Sequence, residues 1–278
     1  MIELICKNCG KKFLSERRSK KYCSCACANT YSSRQRAKAF EDKPSATVWC
    51  SGGGVQSTAI AALIYRGKIP KPDYAFMADC GYESARTYSY LQRIIVPKMR
   101  EIGVNFEIVK SSNYVNVELI DSKGYCNLPA FQKNADGSVS HFSTRCNGTW
   151  KQQVMRAWLR ERGVEKCVNW LGISTDEAHR ARYSRQEKWI VNKYPLIELR
   201  MDRKACANFI KETGWEMPIR TSCIMCPQRT KFEWLKLKID CPGDFDRACA
   251  IEKEIQAINP NVFLSAECRP LAEIVENE

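Results

Sequence analysis

The first cysteines of the chain have the spacing of a zinc site. Cys6 and Cys9 enclose two residues, and the pair Cys23 and Cys27 follows after a gap of thirteen. Tetrahedral zinc takes four such thiolates from two chain segments. Because residues 1–43 contain few apolar side chains, we expect Cys6, Cys9, Cys23 and Cys27 to bind Zn²⁺, and the metal to supply the folding free energy. Cys25 lies inside the second pair and would point elsewhere on a helix.

The same segment is strongly basic. Residues 1–43 hold eleven Lys or Arg against four Asp or Glu, so they contribute +7 of the chain's net charge of +13. Arg17, Arg18, Lys20 and Lys21 lie between the two cysteine pairs. This pattern suits phosphate contacts and predicts a nucleic acid partner, tRNA or DNA. A solvated basic surface is the alternative.

A glycine-rich loop at residues 51–58 (SGGGVQST) follows an apolar stretch and precedes a helical pattern. Backbone N–H groups and hydroxyls in such a loop can cradle phosphate at a helix N-terminus. The loop lacks the Gly-Lys-Ser/Thr end of a Walker loop and the spacing of a dinucleotide fingerprint. A plain strand-to-helix turn is the alternative. The candidate phosphate-binding residues are Ser51, Gly52, Gly53, Gly54, Gln56, Ser57 and Thr58.

The pattern after Ser45 predicts an α/β domain. Short apolar strands alternate with amphipathic helices, which indicates a doubly wound, mostly parallel sheet. We therefore predict a zinc finger at residues 1–43, a linker at 43–45 and an α/β domain with a helical C-terminal part at 45–278. Residues 127–143 are rich in turn formers and predict a long loop, and residues 240–258 predict a solvent-facing helix. The predicted strands are residues 46–50, 74–77, 105–109 and 168–171.

Composition excludes several classes of protein. The longest apolar run, residues 59–65, is far shorter than the about 20 residues of a membrane span, and the first residues lack a secretory pattern. Sixteen cysteines in 278 residues are fewer than a disulfide scaffold carries. We therefore expect a cytoplasmic protein with no membrane partner, whose cysteines serve metal or redox chemistry.

Several segments resemble one known group of proteins. The loop at 51–58 resembles the PP-loop, SGGxDS, of the adenine nucleotide alpha-hydrolase (HUP) group, whose fold is Rossmann-like, and Gln56 stands where that loop has Asp. Residues 78–83 (ADCGYE) are similar to the group's ADTGxE segment, and residues 172–177 (GISTDE) to its GIxxDE turn. The group includes tRNA thiolation enzymes, ATP pyrophosphatases and phosphoadenosine phosphosulfate (PAPS) reductases. The resemblance is to its PAPS reductase-like branch, of phage or bacterial type, and residues 1–43 resemble a treble-clef or zinc-ribbon finger.

A second cysteine set belongs to this resemblance. Cys223 and Cys226 resemble the CxxCP segment of many members, and Cys146 lies in a stretch similar to the group's Cys-to-Lys segment. Three thiolates suggest a [4Fe–4S] cluster, which would leave one iron open to carry sulfide. A second zinc completed by Cys126 or Cys241 and a redox dithiol of Cys223 and Cys226 are the alternatives.

The resemblance implies an enzyme that uses ATP and Mg²⁺ to adenylate a nucleobase in tRNA or DNA and then transfers sulfur to it. A sulfur donor protein or sulfide would supply the sulfur, an oligomer is compatible, and the chain would be bacterial or phage-encoded. Asp79 and Gly172 would contact the nucleotide. Cys80, beside Asp79, stands apart from the cysteines expected in the core. The catalytic roles would fall on Cys146, Lys151, Asp79 and either Arg180 or Arg182.

Two other functions compete with sulfur transfer. The 78–83 segment favours a sulfonucleotide reductase, but Glu267-Cys268 continues into Arg269-Pro270 and not into the Glu-Cys-Gly-Leu-His tail of such reductases. Gln56, in place of the loop Asp, favours a catalytically inactive zinc-finger protein that binds nucleic acid.

Overall fold

The chain of the computed structural model divides into two units. At residues 33, 36–41 and 276 only the backbone is described. The predicted linker at 43–45 lies outside the described residues, and the predicted boundary between finger and α/β domain stays a prediction. The described residues are 1–41, 46–121, 124–142, 145–181 and 189–276. The first unit comprises residues 1–77, 93–107 and 160–218, and the second comprises 78–92, 108–159 and 219–278.

Strands and helices alternate through much of the described chain. The strands are β1 (Ile2–Ile5), β2 (Lys12–Ser15), β3 (Ala46–Cys50), β4 (Tyr74–Asp79), β5 (Phe106–Lys110), β6 (Phe131–Lys133), β7 (Val139–His141), β8 (Cys167–Trp170), β9 (Ile190–Lys193) and β10 (Val262–Phe263). The α-helices are α1 (Cys25–Glu41), α2 (Val55–Tyr65), α3 (Ala85–Tyr90), α4 (Val96–Glu101), α5 (Val154–Glu161), α6 (Pro195–Glu198), α7 (Arg203–Glu212), α8 (Lys231–Asp240), α9 (Pro242–Ile258) and α10 (Leu271–Glu276). Two π-helical turns are Leu91–Ile95 and Asn147–Gln153.

The central sheet has five strands in the order β5-β4-β3-β8-β9. β3 pairs in parallel with β4 on one side and with β8 on the other, and β8 pairs in parallel with β9. Numbered along the chain, this is the 3-2-1-4-5 order of a doubly wound fold, in which ligands bind beyond the carboxyl ends of the strands at the switch point between the first and fourth strands. The predicted fold class is therefore confirmed, and the switch point lies between β3 and β8.

The helix after the glycine loop is a rigid support. Residues 55–64 of α2 are all buried, and residues 59–62 have no exposed surface. A helix that is apolar on every side is covered on every side. Val48 and Trp49 of β3 are likewise fully buried. The loop between β3 and α2 is therefore held at both ends by packed core elements.

The N-terminal residues form a hairpin followed by a helix. β1 and β2 pair antiparallel with Ile2 opposite Ser15. The turn between them closes through a hydrogen bond from Gly10 N to Cys6 O (2.9 Å), and Gly10 has a φ of +71°, a conformation that favours glycine. The first cysteine pair thus lies in the hairpin turn, and the second pair lies where α1 begins.

The second unit is mainly helical and contains a small antiparallel sheet, ordered β10-β6-β7. The long loop predicted at residues 127–143 is wrong in part, because β6 and β7 form a hairpin there through a turn from Asn134 to Gly137. The helix predicted at 240–258 is present as α9, but its predicted solvent-facing character is wrong in part, because α9 buries Phe245, Ala248 and Ile255. The many charged residues of this segment make its apolar residues, which recur at helical spacing, hard to recognise in the sequence. Among the helices of the described segments, none combines the length and apolar character that crossing a membrane requires.

Candidate functional site

The glycine loop is closed by its own hydroxyl groups. Ser51 N donates a hydrogen bond to Phe76 O of β4 (2.8 Å), which anchors the first loop residue to the sheet. Ser57 Oγ donates to Ser51 Oγ (3.0 Å) and accepts from Gly52 N (3.1 Å). Gly53 has a φ of +72°, which favours glycine. These contacts give the loop one defined shape at the carboxyl end of β3.

The N-terminus of α2 is open to an anion. Gly54 precedes the helix and offers no side chain to cap it. The Thr58 hydroxyl in the first turns is buried, and within the described part of the chain it makes no hydrogen bond. A helix end carries uncapped N–H groups and partial positive charge, so it attracts phosphate. The open helix end, the glycines and the unpaired hydroxyl fit the phosphates of a nucleotide.

Gly172 brings the loop after β8 against the glycine loop. A Cβ atom at this position would lie 3.1 Å from Ser57 N and 3.2 Å from the carbonyl carbon of Gln56. Both atoms are backbone and belong to the buried first turn of α2, so neither can move freely. The two loops that follow the strands of the switch point are therefore in backbone contact.

We predict that Gly172→Ala destabilises the protein by about 1–3 kcal/mol, because the added methyl group overpacks this contact. The matched control is Gly243→Ala, where a Cβ would meet nothing within 4 Å. Alanine favours a helix over glycine, so the control is expected to be neutral or slightly more stable. Urea denaturation of both variants measures the difference. Equal midpoints would contradict the backbone contact.

Gln56 ties the glycine loop to the turn after β8. Its Nε2 donates to Ser174 Oγ (3.4 Å) and to Glu177 Oε2 (3.3 Å), and its Oε1 accepts from Arg203 Nη1 (3.1 Å). An aspartate at this position would present a negative charge toward the Glu177 carboxylate. Glutamine instead supplies a donor for the acid and an acceptor for the arginine. Nothing in the sequence marks Arg203, which starts α7 far along the chain.

The predicted phosphate contact Arg180 belongs to the same network. Its Nη1 donates to Glu177 Oε1 (2.9 Å), and 58% of its side chain is exposed. The arginine can therefore reach solvent while it remains attached, through Glu177, to Gln56 of the glycine loop. Arg182, the alternative, lies outside the described residues.

Asp79 ends β4 and shapes the turn that follows. Its Oδ1 accepts hydrogen bonds from Gly81 N (2.7 Å) and from the Tyr88 hydroxyl. Burial, together with the Asp79 carboxylate, raises the pKa of Tyr88 above its ordinary value. Asp79 thus has protein partners, and its predicted contact with a nucleotide stays a prediction.

The second unit contains a tight group of metal-ligating side chains. The donor atoms of Cys80, Glu83 and Cys223 all lie within 4.8 Å of one another. The Cys80 and Cys223 sulfurs are 3.6 Å apart, and Cys223 Sγ lies 3.8 Å from Glu83 Oε1. The predicted zinc ligands Cys126 and Cys241 are not among these atoms. The sequence sets Cys80 apart from the core cysteines but gives it no role. Glu83 is marked there only as part of the ADCGYE segment.

Lys151 is paired with the acid of this group. Its Nζ donates to Glu83 Oε1 (2.8 Å), and the Glu83 side chain is only 2% exposed. Lys151 lies on the π-helical turn after Cys146. Although burial lowers it, the Glu83 carboxylate raises the pKa of Lys151 above its ordinary value, so the lysine is charged. The predicted role of Lys151 toward phosphate stays a prediction, because its charge is already shared with Glu83.

The other predicted cluster ligands surround this group more loosely. Cys146 and Cys223 are half-buried against the hydrophobic core that includes Cys80. Burial raises the pKa of Cys146, and the thiolates of Cys226 and Cys80 raise it further. Cys226 follows Cys223 in a turn closed by a hydrogen bond from Cys226 N to Cys223 O (3.0 Å). Cys146 and Cys226 are not among the donor atoms that lie within 4.8 Å of one another, so the structure brings only Cys223 of the three predicted cluster ligands into that group.

The four N-terminal cysteines, called the head set below, form another group of ligating atoms. The sulfurs of Cys6, Cys9, Cys23 and Cys27 all lie within 4.8 Å of one another. Cys23 Sγ is 3.7 Å from Cys9 Sγ and 3.4 Å from Cys27 Sγ. With zinc–sulfur bonds of about 2.3 Å, thiolates around one tetrahedral ion lie about 3.8 Å apart, so the set fits zinc. Cys25 is exposed and outside this set.

The sheet order, together with the glycine loop between its first strand and helix, decides the type of fold. This is a doubly wound α/β fold with a glycine loop after its first strand. No family model matches the chain, and no curated protein matches it.

The solved structures to which the chain is similar include two enzymes. One is phosphoadenylyl-sulfate (PAPS) reductase from Candida auris in a phosphate complex, with a TM-score of 0.40 and 13% identity over 67% of this chain and 81% of the other. The second is the U34-tRNA thiolase NcsA from Methanococcus maripaludis with its [4Fe–4S] cluster, with a TM-score of 0.43 and 13% identity over 100% of this chain and 97% of the other. At these values the likeness gives no activity, which the residues themselves must supply.

Proposed function

We propose that the protein is an ATP-dependent PP-loop enzyme that adenylates a nucleobase oxygen in tRNA or DNA and replaces that oxygen with sulfur. The observation that carries the proposal is the open N-terminus of α2 behind a glycine loop at the switch point of the sheet, in a chain that also carries a thiol-rich metal group. Glycines, hydroxyls and helix N–H groups bind phosphate, and thiols handle sulfur or the metals that carry it.

ATP would bind at the glycine loop. The N–H groups of the loop would hold its phosphates, with Ser51, Ser57 and Thr58 supplying hydroxyls and Mg²⁺ accompanying the nucleotide. Arg180 is exposed and would approach the phosphates beside Glu177. Positive charge placed where charge develops on phosphate lowers the barrier to its transfer. In this step the base oxygen bonds to the α-phosphorus and pyrophosphate leaves.

Sulfur would enter in a second step. A sulfur nucleophile attacks the carbon that bears the adenylated oxygen, and AMP leaves with that oxygen. Cys146, Cys223 and Cys226 would hold a [4Fe–4S] cluster, whose chemistry when bound is to carry sulfur at the sulfide level. Lys151 would hold a positive charge beside these thiolates and so offset their negative charge.

The zinc finger would hold the nucleic acid. Arg17, Arg18, Lys20 and Lys21 are all exposed between the two cysteine pairs. Four cations on one small metal-stabilised loop suit the phosphates of a polynucleotide and would add salt-dependent affinity. Among the basic residues after the second pair, Arg34 is exposed, and the side chains of Arg36 and Lys38 lie outside the described set.

One observation favours a second candidate, a sulfonucleotide reductase. The Cys80 and Cys223 thiols lie 3.6 Å apart. Oxidation of this pair to a disulfide would deliver two electrons, which is what the release of sulfite from a sulfonucleotide requires. This pair would take the place of the thiol in the Glu-Cys-Gly-Leu-His tail of such reductases, a tail that the chain does not have after Glu267-Cys268.

The test is an assay of anaerobic full-length protein with ATP, sulfide and a pool of tRNA or DNA. We expect pyrophosphate release that depends on nucleic acid, and a mass spectrum of the nucleosides with one oxygen replaced by sulfur. Ser57→Ala is expected to lower pyrophosphate release at least about tenfold because it opens the loop. Ser138→Ala, in the hairpin turn of the second unit, is the matched control.

Each other outcome selects a different function. Consumption of a sulfonucleotide with a thiol donor, without pyrophosphate release, identifies the reductase. Nucleic acid binding with neither reaction identifies an inactive binding protein and overturns the proposal.

A further inference from the structure

Cys80 lies beside the second cysteine set although the motifs assign it no role. It follows Asp79 at the end of β4, is 5% exposed, and its sulfur lies 3.6 Å from Cys223 Sγ. A free cysteine in a core ordinarily packs among apolar side chains. This one faces a second thiol, a buried carboxylate and a lysine.

The backbone holds Cys80 and Cys223 together. Ile224 N donates to Tyr82 O (2.7 Å), and Glu83 and Cys223 form an antiparallel bridge. On the following residues, Ser84 Oγ donates to Asp244 Oδ2 (2.7 Å). The two thiols are therefore adjacent because their chain segments are paired, and not through the choice of one side-chain rotamer.

The distance between the two sulfurs is that of a metal site. A disulfide bond is about 2.05 Å long, so these thiols are not bonded to each other. The spacings in the head set, 3.7 Å and 3.4 Å, bracket the 3.6 Å between Cys80 and Cys223. The distance between the Cys80 and Cys223 sulfurs is therefore within the range of the sulfur–sulfur distances in the head set.

The surrounding cations require negative charge. Lys151 is already paired with Glu83, so Arg229 is the other cation beside these thiols that a negative charge could neutralise. The half-buried Arg229 donates from Nη2 to the carbonyl oxygens of Ser222 and Cys223 (both 3.3 Å). Metal-bound thiolates would supply the negative charge that carbonyl groups lack.

We propose that Cys80 is the fourth thiolate ligand of the second metal centre, beside Cys146, Cys223 and Cys226. A distance of 3.6 Å places both thiolates on one metal atom, which suits a zinc ion or one iron of a [2Fe–2S] cluster. A [4Fe–4S] cluster takes one thiolate at each iron and holds the sulfurs farther apart. The inference rests on the metal centre of the proposed function. It changes that centre in two respects. The metal group is a zinc ion or a [2Fe–2S] cluster in place of [4Fe–4S], and four protein thiolates leave no open coordination position, so outside sulfur binds only when a thiolate leaves.

The experiment measures metal and sulfide in anaerobically purified full-length protein. Wild type is compared with Cys80→Ser and with Cys249→Ser, a control at a half-buried cysteine of α9. We expect Cys249→Ser to match wild type. Cys80→Ser is expected to keep about one zinc, that of the head, and to lose more than half of the remaining metal. Iron with acid-labile sulfide in wild type identifies a cluster, and a second zinc identifies a single ion.

A second measurement covers the case in which Cys80→Ser does not fold. Wild type is alkylated with iodoacetamide before and after treatment with a chelator, and the cysteines are mapped by mass spectrometry. We expect Cys80 and Cys223 to become reactive together, when the metal leaves. Alkylation of Cys80 with the metal still bound would overturn the proposal, as would full metal content in a folded Cys80→Ser.

Two further results overturn it: wild type without a second metal, and a Cys80–Cys223 disulfide in its place. Neither readout involves ATP or nucleic acid. A centre that depends on Cys80, in a protein that releases no pyrophosphate, would therefore uphold this inference and reject the proposed enzyme.

Discussion

Replacement of Cys23 by alanine is expected to unfold the N-terminal segment. Cys23 makes the two short sulfur contacts of the head set, to Cys9 and to Cys27. Among the described apolar side chains of the hairpin, Ile5 and Leu14 are exposed, at 66% and 59%, so little core remains without the metal. Structural zinc contributes about 10–16 kcal/mol of binding free energy in finger peptides, and that free energy is the folding free energy.

Zinc content and limited proteolysis measure this effect. Full-length Cys23→Ala is expected to lose the head zinc and to become sensitive to trypsin at Arg17, Arg18, Lys20 and Lys21. Cys25→Ala is the matched control, two residues away, exposed and outside the ligating set. We expect it to keep its zinc and its resistance. A Cys23→Ala protein that retains both would show that the head folds without a four-thiolate metal site.

Replacement of Lys151 by methionine is expected to destabilise the second unit by about 2–4 kcal/mol. The change removes the partner of Glu83, a carboxylate that is 2% exposed. Breaking a buried pair from one side leaves an uncompensated charge, which costs about 3–5 kcal/mol. The lysine is 36% exposed, so solvent can enter and reduce that cost.

Chemical denaturation at neutral pH measures the effect. The matched control is Lys236→Met, which breaks an exposed pair with Asp240 on α8 (Lys236 side chain 63% exposed) and should cost less than about 1 kcal/mol. The double variant Lys151→Met with Glu83→Gln should recover part of the loss, since no charge is then left buried. A double variant as unstable as the sum of the single ones would mean that the two residues act independently.

The sequence was sufficient where the chemistry is local. The spacing of Cys6, Cys9, Cys23 and Cys27 is a property of two short segments, and the structure brings those four sulfurs together. The glycine loop is recognisable because strand, glycines and helix are consecutive. The alternation of strands and helices likewise predicts a parallel sheet, because a parallel pair needs a crossover between its strands.

The sequence was insufficient where partners are distant along the chain. Cys80 and Cys223 are 143 residues apart, and Gln56 and Arg203 are 147 apart. No periodicity reports such pairings, which depend on how the chain returns to the sheet edge. The β6–β7 hairpin was missed for another reason: its strands have three residues each, too few for alternation to be recognised.

The contact at Gly172 makes two loops behave as one mechanical part. The backbone of Ser57 has no room to move toward Gly172, and Gln56 is fastened to Ser174 and Glu177 on the same turn. A ligand that displaces either loop must therefore carry the other with it. Such a ligand works against the stiffness of both loops together. Occupancy at the end of β3 is thereby transmitted directly to the end of β8, with no hinge between them.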